Sequence, residues 1–159
     1  MIVVSNAGPL IALAKIEQFE LLRELFGKLC IPQAVYDEVV VIGAGKAGAN
    51  ETRQGVGNWI EVKKVKDLVM VKSLLTKLGK GESEAIALAL EMKADLVLLD
   101  DYKARATAEF MGLNMTGTIG MLSRAQKKGL ISDLRPLLDE LRAKGFRLSD
   151  KVYAEILKR

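Results

Sequence analysis

Residues 79–112, GKGESEAIALALEMKADLVLLDDYKARATAEFMG, read as helix, strand and helix with acids at both junctions, and that alternation decides the fold class. Glycines flank Lys80, and Glu82 and Glu84 open an Ala/Leu run in which Ala85, Ile86, Ala89 and Leu90 recur at helical spacing. Carboxylates in a first helical turn offset the positive end of the helix dipole, so one of the two needs no further role. Leu96-Val97-Leu98-Leu99 follows as an unbroken apolar run, the pattern of a strand covered on both faces by helices. It stops at Asp100-Asp101. In open parallel sheets ligands sit beyond the carboxyl ends of the strands, so adjacent acids there form a candidate site.

Composition narrows the chemistry. The chain has 159 residues and a mass of 17.4 kDa, a size expected to form one domain over 1–159 with its own core. Half the residues are hydrophobic but only 5% are aromatic, so that core is aliphatic. There is no histidine and one cysteine, which excludes Ser-His-Asp and Cys-His nucleophilic schemes and every Cys/His zinc pattern. Any metal must be bound by oxygen. Cys30, within Leu29-Cys30-Ile31, is expected to be a buried thiol. The apolar N-terminus lacks a charged n-region and is broken by Ser5-Asn6 and Gly8-Pro9, and no stretch approaches the roughly 20 apolar residues of a membrane span; a cytoplasmic protein without membrane contact is expected. Lys and Arg balance Asp and Glu at 12 each over residues 1–99 but outnumber them 12 to 8 over 100–159, which places the net charge of +4 in the C-terminal part. Such an excess permits contact with nucleic acid without requiring it.

Upstream of the quoted stretch, Ile2-Val3-Val4 is a β-branched strand and Ser5 to Pro9 a turn, with Pro9 opening a helix through Lys15. Gln18 to Phe26 is an amphipathic helix closed by Gly27, Lys28 to Ile31 is extended, and Pro32 starts a helix to about Val40 with Val35 and Val39 inward and Asp37 and Glu38 at its far side or edge. Trp59 to Val62 alternates as an edge strand, and Val65 to Leu78 is helical with Leu68, Val71, Leu74, Leu75 and Leu78 on one side. Downstream, Leu113-Asn114-Met115 is a short strand, Thr116-Gly117-Thr118 caps a helix from Ile119 to Lys128, Ser132 or Asp133 caps a helix to Lys144, and Ser149 caps a last helix, Asp150 to Lys158. Strands alternating with helices indicate an α/β chain, a three-layer α/β/α sandwich with a mainly parallel central sheet.

Gly43, Gly45 and Gly48 stand in the G-x-G-x-x-G order of a dinucleotide-binding turn, which requires a strand before and a helix after. Residues 49–58, ANETRQGVGN, have almost no apolar face to pack on a sheet, and Gly55 and Gly57 interrupt them. A loop with one short helix is favoured, and a dinucleotide-binding protein is the rival expectation.

Four segments together carry a family resemblance: VVSNAGPLIALAKI (3–16), IPQAVYDEV (31–39), GESEAIALALEMKADLVLLDD (81–101) and TGTIGMLSRAQKKGLI (116–131). In this order they resemble a PIN domain, close to the VapC-like proteins of bacteria and archaea. The resemblance implies an α/β/α sandwich whose acids gather at the carboxyl ends of parallel strands, bind Mg²⁺ or Mn²⁺ and cleave RNA. It also implies a toxin paired with an antitoxin protein and forming a homodimer. The family's acidic positions fall on Asn6, Glu38, Glu82 (Glu84 being the other candidate) and Asp100, as catalytic and metal-binding residues, with Asp101 assisting at the metal. Such residue types suit the reaction, because displacement at an anionic phosphodiester needs cations, and hard cations prefer oxygen. Asn6 departs from the pattern, where an Asp is implied. Its neutral amide leaves a second expectation, a degenerate domain that binds RNA or a partner without efficient cleavage. Lys103, Arg105, Arg124, Lys127 and Lys128 are candidate phosphate contacts.

Overall fold

The computed structural model of the chain describes residues 1–158. Five strands, β1 (Val3–Ser5), β2 (Leu29–Pro32), β3 (Ile60–Lys63), β4 (Leu96–Leu98) and β5 (Met115–Thr116), pair in parallel in the order β3-β2-β1-β4-β5. The helices are α1 (Ala7–Lys15), α2 (Leu21–Phe26), α3 (Gln33–Tyr36), α4 (Ala49–Gly55), α5 (Leu68–Leu74), α6 (Lys80–Met92), α7 (Tyr102–Phe110), α8 (Thr118–Lys127), α9 (Arg135–Ala143) and α10 (Asp150–Lys158). A π-helical segment, Asp37–Ile42, continues from α3.

Side chains alternate across a strand, and here both faces are apolar. Val3, Leu96 and Leu98 join Leu29, Ile31 and Ile60 in a core with α1, α2, α8, α9 and Ile156 of α10. Val4, Val97 and Leu99 join the opposite core with α5, α6 and α7. Sheet between two helical layers is therefore the observed α/β/α arrangement, and each fully buried Leu or Val in it contributes about 1.5–3 kcal/mol. β1 sits at the centre with Val3, Val4 and Ser5 opposite Leu96, Val97 and Leu98. From β1 the order runs to β2 and β3 on one side and to β4 and β5 on the other. The gap between β1 and β4 is thus a topological switch point, and Asn6 and Asp100 lie just beyond the carboxyl ends of these two strands.

Several local expectations shift. α1 begins at Ala7, with Asn6 as its N-cap, so Pro9 lies in the third helical position rather than the first; its missing N–H is one the helix would leave unpaired anyway. The helix expected from Gln18 starts only at Leu21, and Gly27 ends it at φ 75°. Past Tyr36 the helix expected to reach Val40 widens into the π segment, which keeps Val35 and Val39 buried. Leu68 and Leu75, expected on one side with Val71, Leu74 and Leu78, are exposed, since α5 is short and buries only Val71 and Leu74. The fifth strand forms at Met115–Thr116, later than expected. β3 is the edge strand, as anticipated, and Cys30 is half-buried in β2 rather than buried, its thiol pushed up by loss of solvation. The glycine-rich stretch has a π-helical turn, not a strand, before Gly43, and only the seven-residue α4 after Gly48, which removes the context a dinucleotide-binding turn requires. No helix among the described residues is long and apolar enough to cross a membrane.

Candidate functional site

Asn6 caps α1 from extended backbone, φ −82° and ψ 174°, yet its side chain makes no capping bond. An N-cap Asn ordinarily accepts an N–H of the first turn. Asn6 is only 8% exposed, and its Oδ1 is buried without a hydrogen-bond partner. A buried acceptor left open costs about 1–3 kcal/mol, so the position asks for an explanation. It has an oxygen neighbour. A Cβ placed on Gly81 would lie 3.2 Å from Asn6 Oδ1 and 3.1 Å from Glu38 Oε1, so the two oxygens converge on the space that glycine leaves open at the start of α6.

Glu38 belongs to the π segment, and it faces this site rather than the far side of its helix. Such wide turns recur at functional sites. Burial raises its carboxyl above the usual range. Glu82, in the first turn of α6, accepts the Gly79 N–H at 3.0 Å. Its carboxyl is also raised, first by burial and then by the nearby Asp101 and Glu38 carboxylates, with the Gly79 N–H pulling the other way. Glu84, two residues on, points elsewhere: its Oε1 accepts the Ala34 N–H at 3.0 Å and caps α3. The structure therefore separates the two acids that open α6, placing Glu82 with the site and giving Glu84 a structural bond.

Asp100 and Asp101 divide similarly. Asp101 caps α7, accepting the Ala104 N–H at 3.0 Å, and stands close enough to Glu82 to affect its charge. Asp100 is turned to α8. Its Oδ1 accepts the Thr118 N–H at 2.7 Å and its Oδ2 accepts the Thr118 Oγ1–H at 2.6 Å. The cap expected from Thr116-Gly117-Thr118 itself thus comes from the end of β4. Gly117 permits the approach, since a Cβ there would lie 2.7 Å from Asp100 Oδ1. Burial raises the Asp100 carboxyl, against the Thr118 bonds and the Arg105 guanidinium, which lower it. Arg105 is itself held by Leu99, whose carbonyl accepts Nη1 at 3.0 Å.

Asn6, Glu38, Glu82 and Asp101 therefore form one group and Asp100, Thr118 and Arg105 an adjoining one. Among the described residues no three His, Cys, Asp or Glu side chains stand close enough together to hold an ion by themselves. The donor chemistry still suits a hard cation: one open, buried amide oxygen beside carboxylates whose charge is disfavoured without a counter-charge. Mg²⁺ keeps several waters and is ordinarily held through one or two carboxylates, so three acids in contact are not required. Among the expected phosphate contacts, Arg105, Arg124 and Lys127 line a groove of about 820 Å³ that opens on Asp100, whereas Lys103 and Lys128 do not line it. Gly81, Thr118 and Arg147, which lines the same groove, had no motif to mark them; the only signal was the G-E step at Gly81-Glu82 and the T-G-T run.

A family model described as a PIN domain matches residues 2–159. No curated protein matches the chain.

Proposed function

The chain belongs to the PIN-domain family, a nuclease-like fold, and on that premise we propose that it is a metal-dependent endoribonuclease of the VapC type. The observation that carries the proposal is the open Asn6 Oδ1, buried beside Glu38 Oε1 at the switch point of the sheet. Asn6, Glu38 and Glu82 would hold Mg²⁺ or Mn²⁺, with Asp101 at its edge. The chemistry such a cation supplies is charge against the scissile phosphate and a more acidic water. Burial raises both the Glu38 and Glu82 carboxyls, so their ionised, metal-binding form is the one a cation would favour. Asp100 fixes the N-terminus of α8, and the Leu99 carbonyl holds Arg105 near it, where the guanidinium can meet a phosphate. In this proposal the protein acts in the cytoplasm, pairs with an antitoxin and works as a homodimer.

Incubating purified protein with a mixed-structure RNA and Mn²⁺ or Mg²⁺ tests the activity, with EDTA and Asp100→Asn as controls. Asn preserves an acceptor for the Thr118 N–H, so the variant is expected to fold, while cleavage falls because the charge that bonds Thr118 and attracts Arg105 is lost. Absence of cleavage from folded protein with either metal overturns the proposal. One observation favours a second reading, a domain that binds RNA or a partner without cutting: position 6 is a neutral amide where the resemblance implies a carboxylate. Asn6→Asp separates the two, since a binding module with a merely weakened site gains metal affinity and cleavage from it.

A further inference from the structure

The groove that opens on Asp100 runs between α8 and the segment that joins α9 to α10. Four cations line it: Arg105, Arg124, Lys127 and Arg147. Two acids line it too, Asp100 at one end and Glu155 on α10, so the lining is net positive. None of the four cations takes part in an ion pair among the described residues. Contrast Arg142 close by on α9, whose guanidinium bonds the Leu148 carbonyl and Asp150 and lies over the Tyr153 ring at 4.5 Å. Arg105 is tied to the Leu99 carbonyl beside Asp100, whereas Arg124 and Lys127 are exposed and Arg147 makes no ion pair, so these three remain open to a ligand while the neighbouring Arg142 is consumed by structure. Arg124 has one other contact, the face of Phe26 at 5.9 Å, which steadies its stem without neutralising it. Arg147 also lines a second, more apolar recess of about 340 Å³ on the other side of Asp100 and Asp101, so its segment straddles the site.

We infer that this groove is a binding track for single-stranded RNA, in which Arg124, Lys127 and Arg147 take successive phosphates and deliver the strand to Asp100. The inference rests on the ribonuclease proposal for its choice of polyanion, and it adds the path and a residue, Arg147, from the C-terminal segment. A groove of about 820 Å³ lined by spaced cations can seat a short run of single-stranded backbone. Unpaired cations facing a strand act by releasing its counterions, a sequence-independent contribution that falls with salt.

The test compares wild type, a groove variant (Arg124→Gln, Lys127→Gln, Arg147→Gln) and a charge-matched control (Lys64→Gln, Lys72→Gln, Lys77→Gln) on the far side of the sheet. Affinity for a single-stranded RNA is titrated in EDTA over a range of salt, and melting checks that each variant folds. The groove variant is expected to lose at least about tenfold in affinity at 0.1 M salt, and the slope of log K against log salt is expected to shrink by about 2, at roughly 0.7 per cation for a single strand. The control should match wild type. Wild-type cleavage with unchanged RNA affinity in the groove variant overturns the track and leaves the nuclease standing. Weakened RNA affinity in the groove variant of a protein that never cleaves supports the track and removes the nuclease. An acidic peptide held by the same three cations, with RNA ignored, overturns the choice of occupant.

Discussion

Asn6, Glu38, Glu82 and Asp100 owe their properties to solvation before anything else. Burial is the leading cause of the raised carboxyl in each of the three acids, and the buried Asn6 Oδ1 has no hydrogen-bond partner. A carboxyl whose pKa is higher folded than unfolded makes the native state bind more protons across the interval between the two values. Stability from these groups therefore rises as pH falls into that interval and is absent at neutrality. Metal-free protein is expected to melt higher just above the ordinary carboxyl range than at neutrality, and Glu38→Gln with Glu82→Gln should flatten the difference. Differential scanning fluorimetry in EDTA checks this; a melting temperature that falls on acidification in wild type would contradict the burial argument. A bound divalent cation competes with the same protons, so its stabilising effect should run the other way and grow with pH.

At the scale of elements, the site is made by helix starts. α1, α6, α7 and α8 all begin at the carboxyl edge of the sheet, and their first turns bring Asn6, Gly81 with Glu82, Asp101, and Thr118 to one place. Gly81 is decisive among them because it leaves the space onto which Asn6 Oδ1 and Glu38 Oε1 converge. Gly81→Ala sets a helix-propensity gain of about 1 kcal/mol against the tight contact of the new methyl group with those oxygens, so its melting temperature in EDTA is expected within a few degrees of wild type. The added methyl group, 3.1 and 3.2 Å from those oxygens, should abolish the rise in melting temperature that Mn²⁺ produces in wild type. Retention of the full Mn²⁺ effect would place the cation elsewhere. Asp100 as the cap of α8 shows how far such an element depends on its neighbours: its capping carboxylate comes from 18 residues upstream.

Across the whole molecule, the C-terminal α10 is the helix tied down least by the core, since Ile156 is its only buried side chain. Arg142 does much of the fastening, through Leu148, Asp150 and Tyr153, and Tyr153 in turn donates to Asp139. The Asp150 pair is fully solvated on one side and worth little. Arg142→Ala is expected to lower stability by about 1 kcal/mol, or roughly 2–4 °C. Hydrogen exchange should show α10 losing protection while β1 and β4 keep theirs; equal protection of α10 in the variant would disprove the role. By itself the sequence determined the order of helices and strands, the parallel sheet, the histidine-free and oxygen-only chemistry, and the neighbourhoods of Asn6, Glu38, Glu82 and Asp100. The elements follow from apolar period and residue type, which act within a few positions along the chain, while the site positions rest on the resemblance to a PIN domain. Tertiary structure alone decided that Glu82 stays with the site while Glu84 caps α3, that Asp101 stands near Glu82 while Asp100 caps α8, that the Glu38 carboxyl of the π turn lies by Gly81, and that Arg147 reaches the groove. Two residues on a helix differ by about 200° in direction, and which direction meets an acid, an N–H or water is set by elements tens of residues away.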